Sequence, residues 1–394
     1  MKIFMSTLLI LFMITILIFI SKKYKTYPQT LLIILSQVII TQVSYWQFGL
    51  VEDEKTYHNT GIMLMGSLNS GQGFQNFGVY PGKESFTYIL GTIYYLVGPL
   101  PIAGIIVNIF FMSLIPSILA ASCNNFDLPQ AAKATAWVFT FTPSIVFWGA
   151  GLRRESLAFL LIAFIILTLS LLYRRSLILG AISALLTFLM IQSTRPQLVL
   201  MLIPSIFLVI LLNLKFEFKQ NTKFFFILIF THASFAWTVI TSLNVEYAGY
   251  IQEISRVENS TRVPNVSWEF NSSFIGYIYN IYRSLTGPLI WEWNSKSMII
   301  FGVEGIYYLL VTIITIMMLI KKKTQRIQIF ILILCSLPLL LVTSFILGNY
   351  GLNSRVRAHY LIPLLPILSL FLIDLKNKII SLKQNIQGVH ATKE

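Results

Sequence analysis

Long apolar runs recur along this chain from one end to the other, and they decide what it can fold into. They fall at about 3–20, 29–48, 85–98, 102–122, 132–150, 156–173, 176–194, 197–213, 224–243, 298–320, 327–347 and 359–373. Most span about 17–22 residues, the length an α-helix rising about 1.5 Å per residue needs to cross a hydrocarbon layer of roughly 30 Å. Water is missing from that layer, so each segment must satisfy its own backbone groups, and helices do so within one segment. With 56% hydrophobic and 11% charged residues, a soluble globular fold is excluded. The expected architecture is all-α and polytopic: about eleven transmembrane helices, one short re-entrant or interfacial helix and two outer loops, forming a single integral membrane domain over residues 1–394.

The net charge of +14 does not point to nucleic acid as a partner, because the Lys and Arg residues are scattered between apolar runs instead of forming one stripe. They read as topology signals. Cys123 and Cys335 stand alone, with no spacing for zinc or a disulfide framework. The first run is followed by Ser21-Lys22-Lys23-Tyr24-Lys25, not by a small-residue cleavage site, and reads as a retained helix. Short loops carrying Lys22, Lys23 and Lys25, then Arg174 and Arg175, then Lys215, Lys219 and Lys223, then Lys321–Lys323 and Arg326, and finally Lys376 and Lys378 all belong in the cytoplasm. These assignments agree only if one run between 49 and 131 does not cross. Run 85–98 is that segment, since about 14 helical residues reach only roughly 21 Å. The tail, 376–394, is then cytoplasmic.

This parity places two polar stretches outside, 49–84 and 244–297, together with three junctions at 149–156, 193–197 and 348–359. The junctions carry Arg153, Arg154, Arg195, Arg355 and Arg357, which break the positive-inside rule. Arginine presents a planar fork suited to two phosphate oxygens at once, so five misplaced arginines point to an anionic group at the outer face.

The first outer stretch opens with Glu52-Asp53-Glu54 just where a helix leaves the bilayer, followed by Tyr57 and His58. One such carboxylate can act as a base on a hydroxyl or as a ligand to a divalent ion. Gly61–Leu68 reads as an interfacial helix and the second outer stretch as a cap of short helices. Gly71-Gln72-Gly73 lacks the strand and spacing of a nucleotide fingerprint, and the chain holds no P-loop.

The order of these features resembles the GT-C superfamily of integral-membrane glycosyltransferases, in the branch of the protein O-mannosyltransferases and the aminoarabinose transferase of lipid A. The resemblance rests on Asp53-Glu54 with Tyr57, on Tyr80-Pro81-Gly82-Lys83-Glu84-Ser85-Phe86 in place of a Lys-Pro-Pro-type motif, and on Thr142-Pro143 followed by Arg153-Arg154-Glu155. It covers roughly residues 29–200. Pro143–Glu155 also resembles bacterial polysaccharide polymerases, and Asn349–Arg357 fits either family.

The resemblance implies a transfer of sugar from a polyprenyl-phosphate donor to a glycan, lipid or protein acceptor at the outer face of a bacterial inner membrane. Asp53 would be the catalytic carboxylate, with Glu54 as the fallback. Lys83, Arg153, Arg154, Arg195, Arg355 and Arg357 would contact the donor phosphate. Glu155, Tyr57 and His58 would serve the acceptor or supply a second acidic group. No motif demands a cofactor; a divalent cation, Mg or Mn, is the one candidate, with no ligand set assigned. Besides the donor and acceptor, the partners are membrane lipids. Aromatic residues on the outer side, Trp148, Trp268, Trp291 and Trp293, suit either sugar faces or the interfacial belt. Two other readings stand beside transfer: polymerisation of lipid-diphosphate-linked repeat units, and carriage of a lipid or anion across the bilayer. A carrier places ionisable groups near the midplane, whereas here His232 and Glu304 are the main intramembrane exceptions.

The topology gives the first prediction. Single cysteines at positions within 49–84, 150–155, 195–197, 244–297 and 349–358 should react with an impermeant thiol reagent from one side of the membrane. Reaction at 174 or 322 from that side, without reaction at 260, would discard the arrangement.

Overall fold

The computed structural model describes residues 2–74, 84–213, 274–293, 295–346 and 350–391. Within them the chain is helical and contains no strand. The helices are α1 (Lys2–Lys23), α2 (Tyr27–Phe48), α3 (Glu52–Asn69), α4 (Glu84–Val97), α5 (Pro101–Asn125), α6 (Pro129–Thr140), α7 (Pro143–Trp148), α8 (Glu155–Tyr173), α9 (Leu177–Thr194), α10 (Val199–Asn213), α11 (Phe274–Thr286), α12 (Lys296–Lys321), α13 (Arg326–Ile346), α14 (Tyr350–Leu361) and α15 (Leu365–Ala391). Nine helical segments among the described residues are long and apolar enough to cross a membrane, which makes the chain a multi-pass membrane protein.

Two expected crossings are not among the nine. Run 224–243 lies outside the described residues. Run 132–150 is split into α6 and α7 around Phe141 and Thr142, because Pro143 has no N–H to continue the helical ladder. Gln37 of α2 meets this break, donating from Nε2 to the Val146 carbonyl at 2.7 Å. The short run 85–98 forms α4, which lies chiefly against α3, as its length requires.

Burial orders the bundle. In α8, 78% of the spanning window is buried, against 6% in α1 and 11% in α2. A helix apolar all round belongs at the centre, and α8 packs there most extensively on α5. The α1–α2, α5–α6 and α8–α9 connections each turn through one residue in the left-handed region: Lys25, Asp127 and Arg175, with φ of 56°, 57° and 62°. In each, the residue after the turn donates five residues back, to Ser21, Cys123 and Leu171, satisfying a terminal carbonyl. These turns share one end of the bundle, where Arg174 Nη1 reaches Asn125 Oδ1 at 3.3 Å. Elsewhere, Asp374 on α15 pairs with Lys322 at 2.8 Å and Lys321 at 3.7 Å.

Two segments differ from their sequence reading. The acidic motif is not a loop ahead of an interfacial helix; it forms the first turn of α3, where acidic side chains complement the helix dipole. The junction 348–359 contains α14, which continues through Ile362–Leu364 into α15. Its helical form sends Arg355 and Arg357 to different faces, because residues two apart on a helix do not meet.

Arg357 therefore leaves the outer junctions and caps another helix. It is fully buried, and donates from Nε to Ser284 O at 2.6 Å, from Nη2 to Arg283 O at 3.3 Å and to Gly287 O, and from Nη1 to Phe301 O at 3.3 Å. The end of α11 lies inside the bundle, with Thr286 against Gly305 of α12. Terminal carbonyls buried there need a donor, and a guanidinium with several answers them and the negative end of the dipole together. Replacing Arg357 by Leu should strip the buried Gly287 carbonyl of its donor, at roughly 1–3 kcal/mol, while Arg283 O keeps the Gly287 N–H and Ser284 O keeps Asn353 Nδ2. Thermal unfolding followed by circular dichroism in detergent should show a drop of several degrees for Arg357→Leu.

Candidate functional site

At the end of the bundle opposite the Lys25, Asp127 and Arg175 turns, four segments bring together side chains distant in sequence. α3 supplies Asp53 and Glu54. The segment from α7 to α8 supplies Arg153, Arg154 and Glu155. Arg195, between α9 and α10, and Arg355, on α14, complete the set.

Glu155 stands at the centre, 1% exposed, and Oε1 accepts Arg195 Nη2 at 2.5 Å and Arg355 Nη1 at 3.5 Å. Arg355 then bridges outward, with Nη2 at 3.2 Å from Asp53 Oδ2. The Asp53 carboxylate is 46% exposed, making it the accessible acid of the group. Glu54, one residue on, is buried and occupied on both oxygens: Oε1 accepts Arg153 Nε at 3.2 Å and Oε2 the Val51 N–H at 3.2 Å. Arg154 Nη1 donates to Thr194 O at 3.4 Å, tying the cluster to the end of α9.

The loop carrying Arg153 is fixed from below. Asn108 Nδ2 donates to the carbonyls of Gly151 and Arg153, both at 2.8 Å, while Gly151 N–H donates to Thr41 Oγ1 at 3.1 Å. Gly151 has φ of 81°, and a Cβ there would run into Glu54 Oε1, so the position needs glycine twice over.

Two further predicted residues hold protons and do not accept them at neutral pH. Tyr57 is buried against the cluster; burial, with Glu155 and Asp53 adding to it and Arg154 and Arg195 opposing, pushes its phenol up to about 12. His58 turns away to Tyr94, with Nδ1 at 2.8 Å from the hydroxyl.

The cluster thus gathers Asp53, Glu54, Tyr57, Arg153, Arg154, Glu155, Arg195 and Arg355. It excludes His58 and Arg357, and Lys83 lies outside the described residues. Glu155, expected to serve the acceptor or supply a second acidic group, lies buried between Arg195 and Arg355. Asn108, Gly151 and Thr41 were missed; an amide inside an apolar run was the available signal for Asn108. Among the described residues no group of three His, Cys, Asp or Glu side chains could hold a metal ion, and Asp53, Glu54 and Glu155 are each met by a guanidinium. Four guanidiniums against three carboxylates leave surplus positive charge, suited to an anion. Comparison with protein-family models, curated proteins and solved structures finds no match.

His58 gives a pH prediction. Burial lowers its imidazole below the usual 6.5, so the unfolded chain takes up the proton more readily than the folded one. The resulting stability is present above about pH 6.5 and declines as pH falls below it. Unfolding temperatures measured from pH 7.5 to 5 should decline less steeply for His58→Gln than for the unaltered protein; parallel curves would remove His58 as a contributor.

Proposed function

We propose that this protein is a membrane glycosyltransferase that moves a sugar from a polyprenyl-phosphate donor to an acceptor hydroxyl at the outer face of a bacterial inner membrane, within an eleven-crossing fold. The observation that carries the proposal is the Asp53–Arg355 contact: an accessible carboxylate held by an arginine that belongs to a surplus of buried guanidiniums.

A lipid-borne sugar phosphate suits this end of the bundle, since its tail stays in the bilayer while its phosphate lies at headgroup depth. As the sugar–oxygen bond breaks, negative charge grows on the phosphate oxygen, and arginines already in place stabilise it without reorganising. Arg355 is the pivot. When it turns from Asp53 toward the phosphate, the carboxylate is released to take the acceptor's proton as the new glycosidic bond forms. Glu155 and Arg195 hold the pivot from behind, and Glu54 holds Arg153. The donor leaves as polyprenyl phosphate, and the proton rests on Asp53 until solvent removes it.

A carrier of lipid or anion is the second reading, favoured by one observation. Glu304 is half-buried on α12, accepting from Ser354 Oγ at 2.5 Å, and Arg357 is fully buried in the same bundle. Ionisable groups in the bundle interior are what a transport path uses.

Proteoliposomes supplied with a short-chain polyprenyl-phosphate sugar and a mixed pool of glycan, lipid and peptide acceptors test both readings. Sugar transfer should be abolished in Asp53→Asn, and in Arg355→Lys it should fall by about 10²–10³, since the charge remains but the fork is lost. Size-exclusion profiles should match the unaltered protein. Near-normal turnover in Asp53→Asn would move the base to Glu54 or end the proposal. Movement of the labelled lipid across the bilayer with no release of sugar would favour the carrier.

A further inference from the structure

Trp148, the last residue of α7, lies among the arginines of the site. The Arg355 Cζ is 5.0 Å from the centroid of its ring and the Arg153 Cζ is 5.7 Å from it. The neighbouring Phe147 ring meets it edge-on at 5.2 Å. The indole N–H donates to Ser354 Oγ at 3.1 Å, and that hydroxyl donates to Glu304. Ser354 directly precedes Arg355, so the ring is bonded to the same helix turn that presents one of its guanidiniums.

The physical problem at this point is repulsion. Arg153 and Arg355 come from different elements and carry like charges in a partly desolvated place, where charge interactions are strong. Asp53 and Glu54 offset the charges but contact each arginine separately. The indole contacts both guanidiniums, and the face of its π-system attracts cations. Its N–H bond to Ser354 fixes the orientation of the ring, and Glu304 fixes Ser354.

We propose that Trp148 is a positioning residue: it holds Arg153 and Arg355 at one set spacing, so that a single phosphate group meets both. The role rests on the lipid-phosphate reading for its purpose, but not for its geometry. Because the ring supplies the hold, Phe should preserve most of it, while an aliphatic side chain such as Leu should not.

The experiment uses the full chain in lipid nanodiscs, as the unaltered protein and as Trp148→Phe and Trp148→Leu. Phenylglyoxal labelling of Arg153 and Arg355, read by peptide mass spectrometry, reports how firmly each guanidinium is held. Binding of farnesyl phosphate is measured in parallel by calorimetry. In Trp148→Leu, labelling of both arginines should rise several-fold while Arg174 and the unfolding temperature change little, and farnesyl phosphate should bind about tenfold more weakly. Trp148→Phe should restore most of both properties. Unchanged labelling of Arg153 and Arg355 in Trp148→Leu would overturn the positioning role, as would a failure of Phe to rescue. If labelling rises as expected but the unaltered protein does not bind farnesyl phosphate, the positioning role stands and the lipid-phosphate reading falls. Should Trp148→Leu fail to fold, the comparison passes to Trp148→Met, judged by the same two measurements.

Discussion

A guanidinium inside a helical membrane bundle needs an acceptor within reach, because neither lipid nor apolar side chain replaces its water. Arg195 and Arg355 find theirs in one buried carboxylate, Glu155, at the start of the most enclosed helix. Around that carboxylate the rest of the site is arranged. Removing it would strand two cations in a place of low dielectric, the costly way to break a buried ionic group. Its position at the first turn of α8 also complements the positive end of that helix, so the same residue answers a dipole and two side chains.

Arg355 and Arg357 show two solutions to the same requirement on one helix. The first faces Asp53 and Glu155, with a carboxylate partner partly open to solvent. The second faces the end of α11 and donates chiefly to main-chain carbonyls. Carbonyl partners are fixed by the backbone, so Arg357 has no freedom to leave them. Carboxylate partners on side chains can be exchanged for another anion of similar reach, which is why chemistry is assigned to Arg355 and architecture to Arg357.

Close contacts with the main chain make the site rigid where it matters. Asn108 holds two carbonyls of the loop before α8, Thr41 holds an N–H of the same loop, and Gly151 allows Glu54 to approach it. The acid at the rim, Asp53, is left more exposed than any of these. An arrangement with a fixed floor and one movable contact at its edge suits a site that must admit an anion without rebuilding itself.

The sequence by itself determined that the chain is all helix and multi-pass, because run length and the lack of charge within runs follow directly from the thickness and dryness of a bilayer. It also marked most of the cluster, since arginines gathered at short junctions between apolar runs are visible by counting loops. It did not separate Arg357 from Arg355. That division depends on junction 348–359 being helical, and neighbours two apart then part company. Nor did it reveal Glu155 as a counter-ion or show that Glu54 is enclosed while Asp53 stays accessible, because carboxylates look alike until the fold surrounds one and leaves another in contact with water. The broken helix at Pro143 and the left-handed Gly151 follow a similar logic: proline and glycine announce that a break is possible, but only the packing of α2, α3 and α5 around them decides which backbone groups the break exposes and which side chains close it.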